Sequence, residues 1–303
     1  MIRQVACTHT FKVSHSDKLL EFLLRKMQLS RNSVKGLLSD HKVLVNGKMT
    51  SQFDYPLAKD DEVKIARNPV RMQAIEKAVR ERKPAANPIR SMIIYEDENY
   101  LVINKPNGLL SVESDKERNC AYGYAVDYLK EKDKKARPYI LHRIDKETSG
   151  VLVFAKDIEL HSKLKMHWSE DVQLREYIAI VSGKMEKESG TITSYLKENS
   201  SNMVYVSKDK NGKKSITHYE VLEANDDYSL LRVHIDTGRK NQIRVQMASL
   251  GHPIIGDDKY GNGIDPLKRL GLHASRLDFI DPSSGRTMSF KARTPKNFQE
   301  LFN

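Results

Sequence analysis

The sequence predicts an α+β protein of two folded units joined by a basic linker, and three observations lead there. Over residues 91–303, strand-like segments mostly follow one another instead of alternating with helices, which favours a largely antiparallel, mixed sheet. Residues 1–66 carry two short helical patterns followed by small strands. Between these stretches, residues 67–90 set Asn68-Pro69, Lys83-Pro84 and Asn87-Pro88 among Arg67, Arg71, Lys77, Arg80, Arg82, Lys83 and Arg90. The prolines argue against one continuous helix there, although Arg71 to Arg82 has a helical composition. The basic side chains suit either a solvated tether or a segment lying on phosphates.

In the first unit, Ser16-Asp17 is placed to cap a helix through Leu19, Leu20, Phe22, Leu23 and Leu24. Ser30-Arg31-Asn32-Ser33 opens a second helix through Val34, Leu37 and Leu38. A strand, Lys42 to Val45, closes at the turn pair Asn46-Gly47, and Glu62 to Ile65 alternates polar and apolar as a further strand. In the second unit the expected strands are Met92–Tyr95, Tyr100–Asn104, Val151–Ala155, Tyr177–Val181, His218–Leu222 and Ser229–Ile235. Helices are expected near Ile158–Ser169 and Lys240–Leu250.

Charge narrows the function. With 51 Lys and Arg against 40 Asp and Glu, the 303-residue chain carries a formal charge of +11, which points toward a polyanionic partner, nucleic acid being the commonest. Cys7 and Cys120 are too few and too far apart for a disulfide framework or a cysteine zinc site, and they suggest a reducing compartment. No secretory signal or apolar run long enough to span a bilayer is visible, so the cytoplasm is expected. Neither GxxxxGK[ST] nor GxGxxG occurs, and no nucleotide cofactor is expected. His252, Asp257, Asp258 and His273 match no standard metal-ligand spacing, so no metal is assigned to them.

The segment Leu141-His142-Arg143-Ile144-Asp145-Lys146-Glu147-Thr148-Ser149-Gly150, followed by the apolar VLVFAK, sets an acid between basic residues before a buried strand. Such an acid can be held ionised beside a reacting centre. On composition alone, a surface turn supplied by Thr148, Ser149 and Gly150 is the favoured explanation.

The stretch "HRIDKETSGVLVFAKD" resembles the HRLDxxTSG signature of the RluA/RluC/RluD-type pseudouridine synthases, with Ile144 for leucine as the one core departure. Further blocks resemble that family in order. Asn104 to Gly108 is similar to its KPxG block, and "REYIAIVSG" to the strand bearing its active-site tyrosine. "TGRKNQIRVQMASLGHPIIGDDKYG" is similar to TGRxHQIRxH…GHPIxGDxxYG, and the closing "LHASRLDFIDPSSGRTMSFKARTP" also fits. The likeness covers about residues 91–303. The first unit, from Arg31 through "VLVNGK", resembles the RNA-binding domain named after small-subunit ribosomal protein S-four, with Asp40-His41 where that family often has a glycine.

The resemblance implies an RNA-modifying isomerase of pseudouridine synthase fold. In that reaction uracil leaves its ribose at a ring nitrogen, turns, and rejoins through ring carbon 5, with no cofactor. It implies Asp145 as the catalytic carboxylate, acting as nucleophile or base, with Arg244 as its charge partner and Tyr177 against the target base. Arg143 matches the position that helps fill the gap left by a flipped nucleotide. Lys105 and Arg239 suit phosphate-binding or structural roles, and Arg31 and Lys35 mark the RNA-binding face of the first unit. Asn241 and Gln246 replace frequent histidines, a departure expected to bear on local RNA contacts. The implied partner is RNA: large-subunit ribosomal RNA first, transfer RNA as the alternative, with the enzyme a monomer. A non-catalytic ribosome-assembly factor would be free to lose Asp145, Tyr177 or Arg244. A hydrolase would normally need a second carboxylate in a matched motif, and none is identified.

Overall fold

The computed structural model describes residues 7–67, 87–114 and 117–302, so the helix considered over 71–82 lies outside the described residues. The chain divides into two compact units, Met1–Ala85 and Ala86–Asn303.

In the first unit, β1 (Cys7–Lys12) precedes a two-residue strand β2 (Asp17–Lys18) and the helices α1 (Leu19–Met27) and α2 (Arg31–Ser39). Then come β3 (Val43–Val45), β4 (Lys48–Met49), β5 (Pro56–Leu57) and β6 (Glu62–Ala66). The main sheet runs β1-β6-β3-β4, with β2 and β5 forming a separate pair. Leu19, Phe22 and Leu23 of α1 meet Val34 and Leu38 of α2 and Val43, Val63 and Ile65 of the sheet in one core. The cap expected at Ser16-Asp17 is not made. Lys18 occupies the α1 cap with no side-chain hydrogen bond, and Asp17 pairs with Arg25 one face along the helix. Ser30 does cap α2, accepting from the Ser33 N–H at 3.1 Å. Asn46 and Gly47 take φ of 49° and 76°, the left-handed pair that a two-residue hairpin needs between β3 and β4. His41 also adopts a left-handed φ of 59°. Strand β1 was not expected, because CTHTFK offers little apolar alternation; its place comes from pairing with β6.

The second unit begins earlier than the prolines suggest. Pro88–Ser91 forms a 3-10 turn whose Ile89 is fully buried, and Asn87 Nδ2 donates to the Tyr124 carbonyl at 2.9 Å. The linker drawn to residue 90 is thereby shortened, since its last residues pack into this unit. The turn leads to β7 (Ile93–Glu96), β8 (Tyr100–Lys105), α3 (Ala121–Lys132), β9 (Tyr139–Ile140), β10 (Ser149–Ala155), α4 (Ile158–Asp171) and β11 (Val172–Ser182). After them come β12 (Ser189–Glu198), β13 (Val204–Val206), β14 (Lys213–Ala224), β15 (Tyr228–Ile235), α5 (Gln242–Ser249), β16 (Leu272–Ile280), β17 (Thr287–Lys291) and α6 (Lys296–Gln299).

Eleven strands form one sheet, its main path β13-β12-β14-β15-β11-β16-β10-β8-β7. Among the described residues the pairs are antiparallel except β10 with β16, where Ser149 faces His273 and Gly150 faces Ala274. Gly150 has a φ of +120°, and a Cβ there would fall 2.1 Å from the Ala274 carbonyl oxygen, so only glycine lets these strands meet. This seam joins two halves with separate cores. On one side Tyr100, Val102, Val151 and Val153 pack with Leu160 and Leu164 of α4. On the other Ala179, Val181, Leu231 and Val233 pack with Ile243 and Met247 of α5. Among the described residues no helix is long and apolar enough to cross a membrane.

Candidate active site

The loop that carries Asp145 runs from β9 to the seam strand β10, and residues 105–111 fasten it from below. Lys105 Nζ donates to the carbonyls of Leu109 at 2.6 Å, Pro106 at 2.9 Å and Lys146 at 3.0 Å. The Gly108 N–H donates to the same Lys146 carbonyl at 2.9 Å. Ser111 Oγ donates to the Ile144 carbonyl at 2.7 Å and accepts from the Ile144 N–H at 3.3 Å. Lys105 is fully buried, and that burial pushes its pKa down to about 7. Of the phosphate-binding and structural roles expected for it, its burial and these three bonds fit the structural one, a loop anchor, and not the RNA contact. Buried lysine was unexpected because the residue type is normally exposed.

Arg244, the third residue of α5, projects into the same place. Its Nε donates to Asp257 Oδ2 at 2.7 Å and its Nη2 to Asp257 Oδ1 at 2.6 Å, a bidentate fork. Nη2 also lies 3.3 Å from Asp258 Oδ1, and the ring of Tyr260 sits 5.4 Å from the guanidinium carbon. With those groups engaged, Nη1 is left toward Asp145 Oδ2, 3.7 Å away. The Arg244 side chain is 4% exposed, whereas a third of the Asp145 side chain (33%) faces the cleft. Burial raises the Asp145 pKa above its ordinary value, against the opposing charges of Arg244, Lys259 and Lys105.

Tyr177 reaches the cleft from β11, in register between Val233 of β15 and Ala274 of β16. Burial pushes its phenol up to about 12, so the ring keeps its proton near neutrality. Asp145, Tyr177 and Arg244 line one cleft of about 720 Å³ with Arg143, Lys165, Arg175 and Arg239. Of the other expected contacts, Arg143 and Arg239 are exposed at this cleft, and Arg239 Nε donates to the Lys214 carbonyl at 3.3 Å. Arg31 and Lys35 are exposed on α2 of the first unit, where Arg31 pairs with Glu21 at 2.9 Å.

Gln246 turns inward, away from any RNA contact, whereas Asn241 borders the cleft while bonding inward. Gln246 is fully buried; its Oε1 accepts from Thr217 Oγ1 at 2.6 Å and its Nε2 donates to Ser194 Oγ at 2.9 Å. Asn241 Nδ2 donates to Tyr260 Oη at 3.1 Å, bracing the ring that lies against Arg244. Gln242 ties the start of α5 to the preceding loop, accepting from Thr237 Oγ1 at 2.8 Å and from the Arg239 N–H at 3.1 Å.

Besides the exposed Lys165 of the rim, three site residues escaped the sequence reading. Arg175 stands two positions before Tyr177 on the same strand face, a spacing that was available as a signal. Its Nη2 donates to the Asp236 carbonyl at 2.6 Å, and a Cβ on Gly238 would lie 2.8 Å from its Nη1. Asp257 was weighed only as a metal ligand, yet it is the fixed partner of Arg244. Trp168 of α4 stacks on His142 with centroids 5.9 Å apart and planes 15° from parallel. His142 Nε2 accepts from the Val153 N–H at 3.2 Å, and burial depresses its pKa to about 3, leaving the ring neutral. The residues once imagined as metal ligands are otherwise engaged: His252 Nδ1 donates to the Ser182 carbonyl at 3.0 Å, and His273 Nδ1 meets Ser149 Oγ at 2.8 Å.

The site thus offers a partly exposed carboxylate, a buried cation held against it, a protonated phenol and a rim of arginine and lysine. Comparison with known proteins agrees with this geometry. Residues 99–249 match the family model described as RNA pseudouridylate synthase. The chain is 32% identical over 297 residues to a Mycoplasma pneumoniae protein described as an uncharacterized RNA pseudouridine synthase, covering 96% of this chain and 93% of that one. It is 32% identical over 308 residues to the ribosomal large subunit pseudouridine synthase D of Buchnera aphidicola, covering 94% and 93% respectively. Among solved structures, human RNA pseudouridylate synthase domain containing 4 aligns with a TM-score of 0.58 at 22% identity over 76% of this chain and 95% of its own, a likeness of fold. A cleft of this build, on this fold, in a chain matched nearly end to end by such relatives, belongs to an RNA pseudouridine synthase, and the chain is a member of that family.

Proposed function

We propose that this enzyme isomerises uridines of large-subunit ribosomal RNA, with Asp145 as the catalytic carboxylate, Arg244 as its charge partner and Tyr177 against the target base. The observation that carries the site assignment is the 3.7 Å approach of Arg244 Nη1 to Asp145 Oδ2 at the floor of a cation-rimmed cleft. A carboxylate there acts as a nucleophile at the anomeric carbon or as a base at the neighbouring one, and either role requires its ionised form. Arg244 favours that form, while the cleft shields the reacting bond from water. Tyr177, with its proton retained, is suited to stack on uracil and to donate during its transfer.

The target atoms are inaccessible in a stacked helix, so the uridine must turn out of it. Arg143, exposed at the cleft beside Asp145, is suited to occupy the space left behind. Support for the ribosomal target comes from relatives named for it, including those of Buchnera aphidicola and Borreliella burgdorferi, the latter 34% identical over 284 residues. The first unit, with two helices packed on a small sheet and Arg31 and Lys35 exposed on α2, suits an S-four-like RNA-binding module. The same reading makes the enzyme a cytoplasmic monomer.

The test is a transcriptome-wide pseudouridine map from cells with the intact gene, without it, and with Asp145→Asn. Large-subunit ribosomal positions should lose modification in both altered strains. Loss confined to transfer RNA would replace the proposed target, and a map unchanged in all three would overturn the assignment of Asp145.

A further inference from the structure

At the edge of the cleft, where Asp236 borders it, backbone register collects an unassigned group of donors whose two histidines do not line the cleft. His218 of β14 faces His234 of β15 directly, and Asp236 follows His234 by two residues, which returns it to the same face. The neighbours Val233 and Ile235 point into the core instead. The two imidazoles stack with centroids 4.4 Å apart and planes 14° from parallel. His218 Nε2 and Asp236 Oδ2 are 3.0 Å apart, and one donor atom from each of the three residues lies within 4.8 Å of the others. The row continues to β12, where Thr191 lies opposite His218 and its Oγ1 meets His218 Nδ1 at 2.9 Å.

We propose that His218, His234 and Asp236 form a binding site for one divalent transition-metal ion, zinc by the chemistry of its donors. Two imidazoles and a carboxylate make a recognised zinc donor set, with water in the fourth position. Tetrahedral ligands about 2.0–2.1 Å from zinc are roughly 3.4 Å apart, so side-chain rotations close the present spacing without moving the strands. Thr191 supplies the outer hydrogen bond characteristic of ligating histidines. By engaging Nδ1, it directs Nε2 toward the ion and fixes the ring. The carbonyl of Asp236 is held separately by Arg175, so the third ligand sits on anchored backbone. Antiparallel pairing supplies rigidity that loop ligands would lack. His218 and His234 do not line the catalytic cleft, although Asp236 borders it, and the site's existence does not depend on which RNA the enzyme modifies.

Calorimetric titration of the metal-stripped full-length protein with zinc chloride tests it, alongside titration with cobalt(II) read by visible absorption. One equivalent should bind, with affinity reduced at least tenfold by His218→Ala and by His234→Ala. Thr191→Val should weaken binding about tenfold by freeing the His218 ring. Pseudouridine formation by the two histidine variants should stay within twofold of the parent, separating this result from the catalytic assignment. Failure of the parent to bind one equivalent overturns the site. So does a His218→Ala/His234→Ala double variant that binds zinc within twofold of the parent, since the ion would then rest elsewhere.

Discussion

The floor of the cleft and its rim handle charge in opposite ways. At the floor, Arg244 is 4% exposed and its partner Asp257 has no exposed side-chain surface, and the two are joined by a two-pronged hydrogen bond. At the rim, Arg143 and Lys165 are exposed, and neither forms an ion pair among the described residues. A reacting centre gains from dipoles and charges already fixed when the transition state forms. A binding rim gains from cations that exchange counterions for phosphates, which buried, paired groups cannot do. Under the proposed function, the difference would separate groups that act on the bond from groups that hold the RNA.

The largest effect should come from breaking the floor. Arg244→Met removes the charge facing Asp145 and strands Asp257 in a buried site. Single-turnover rates should fall about 10²–10³-fold, and urea unfolding should show a loss of about 3–5 kcal/mol. Asp257→Asn tests whether the fork itself matters. It retains the shape but loses the second anionic oxygen, so Arg244 should wander and the rate should fall roughly tenfold to a hundredfold with a smaller stability loss. Turnover by Arg244→Met within a few fold of the parent would remove it from the machinery.

The rim should break differently. Lys165→Ala should weaken RNA binding by about tenfold at low salt with single-turnover chemistry nearly intact, and should shallow the plot of log affinity against log salt by roughly 0.7–0.9 per phosphate lost. Arg143→Ala should do the same and also slow the chemical step if the side chain holds the flipped state. An unchanged salt slope in both variants would mean that these cations touch no phosphate. Removing residues 1–66 should likewise weaken RNA affinity more than it harms the folding of the catalytic unit.

A pH profile sharpens the same contrast. In its proposed role Asp145 must be ionised to react, and burial lifts its pKa above the ordinary value despite Arg244, Lys259 and Lys105. Single-turnover activity should therefore fall, as pH drops, at a higher pH than an exposed aspartate would give. Weakening the floor through Asp257→Asn should move that limb, while Lys165→Ala should leave it in place. A limb at the ordinary aspartate position would contradict the burial of the carboxylate.

What could be read in the sequence follows the same division. The strands 100–104 and 151–155 were legible from continuous apolar runs and 229–235 from its alternation after Leu231, while Asp145, Tyr177 and Arg244, each in a long motif, are brought together in one cleft. Helix α3 was not, since its buried positions include the small Ala121 and Ala125, and the Cys120 thiol that accepts from the Gly123 N–H is an unusual cap. Strand β16 hid within a motif whose residues were compared but not read for structure. Lys105 and Gln246 were misplaced for one reason: a polar side chain's burial depends on partners brought together by the sheet. Lys105 finds carbonyls from two loops, and Gln246 finds Thr217 and Ser194 on two strands. Residue type alone does not reveal such partners.

The smallest predicted effect concerns two neutral histidines beneath the floor. Burial holds His142 near a pKa of about 3 and His273 near about 4, against an ordinary 6.5. His273 is fully enclosed, with Nε2 donating to the Ala292 carbonyl at 3.3 Å and Nδ1 accepting from Ser149 Oγ at 2.8 Å, so protonation would set a charge in an enclosed site near Arg269, whose Nη2 donates to the same Ser149 Oγ at 2.6 Å. Below pH 6.5 the unfolded chain takes up protons at both rings while the folded chain does not. The unfolded state then binds more protons, and stability must fall as pH decreases toward 4. Each ring contributes at most about 1.4 kcal/mol per pH unit in that window. Between pH 5 and 6.5 ordinary carboxylates remain ionised, so the histidines dominate the slope of urea-unfolding free energy. His273→Gln, which retains a hydrogen-bonding side chain without a titrating ring, should flatten that slope. A slope identical to the parent's would show that His273 accepts a proton in the folded enzyme, and the floor would then be more hydrated than its packing implies.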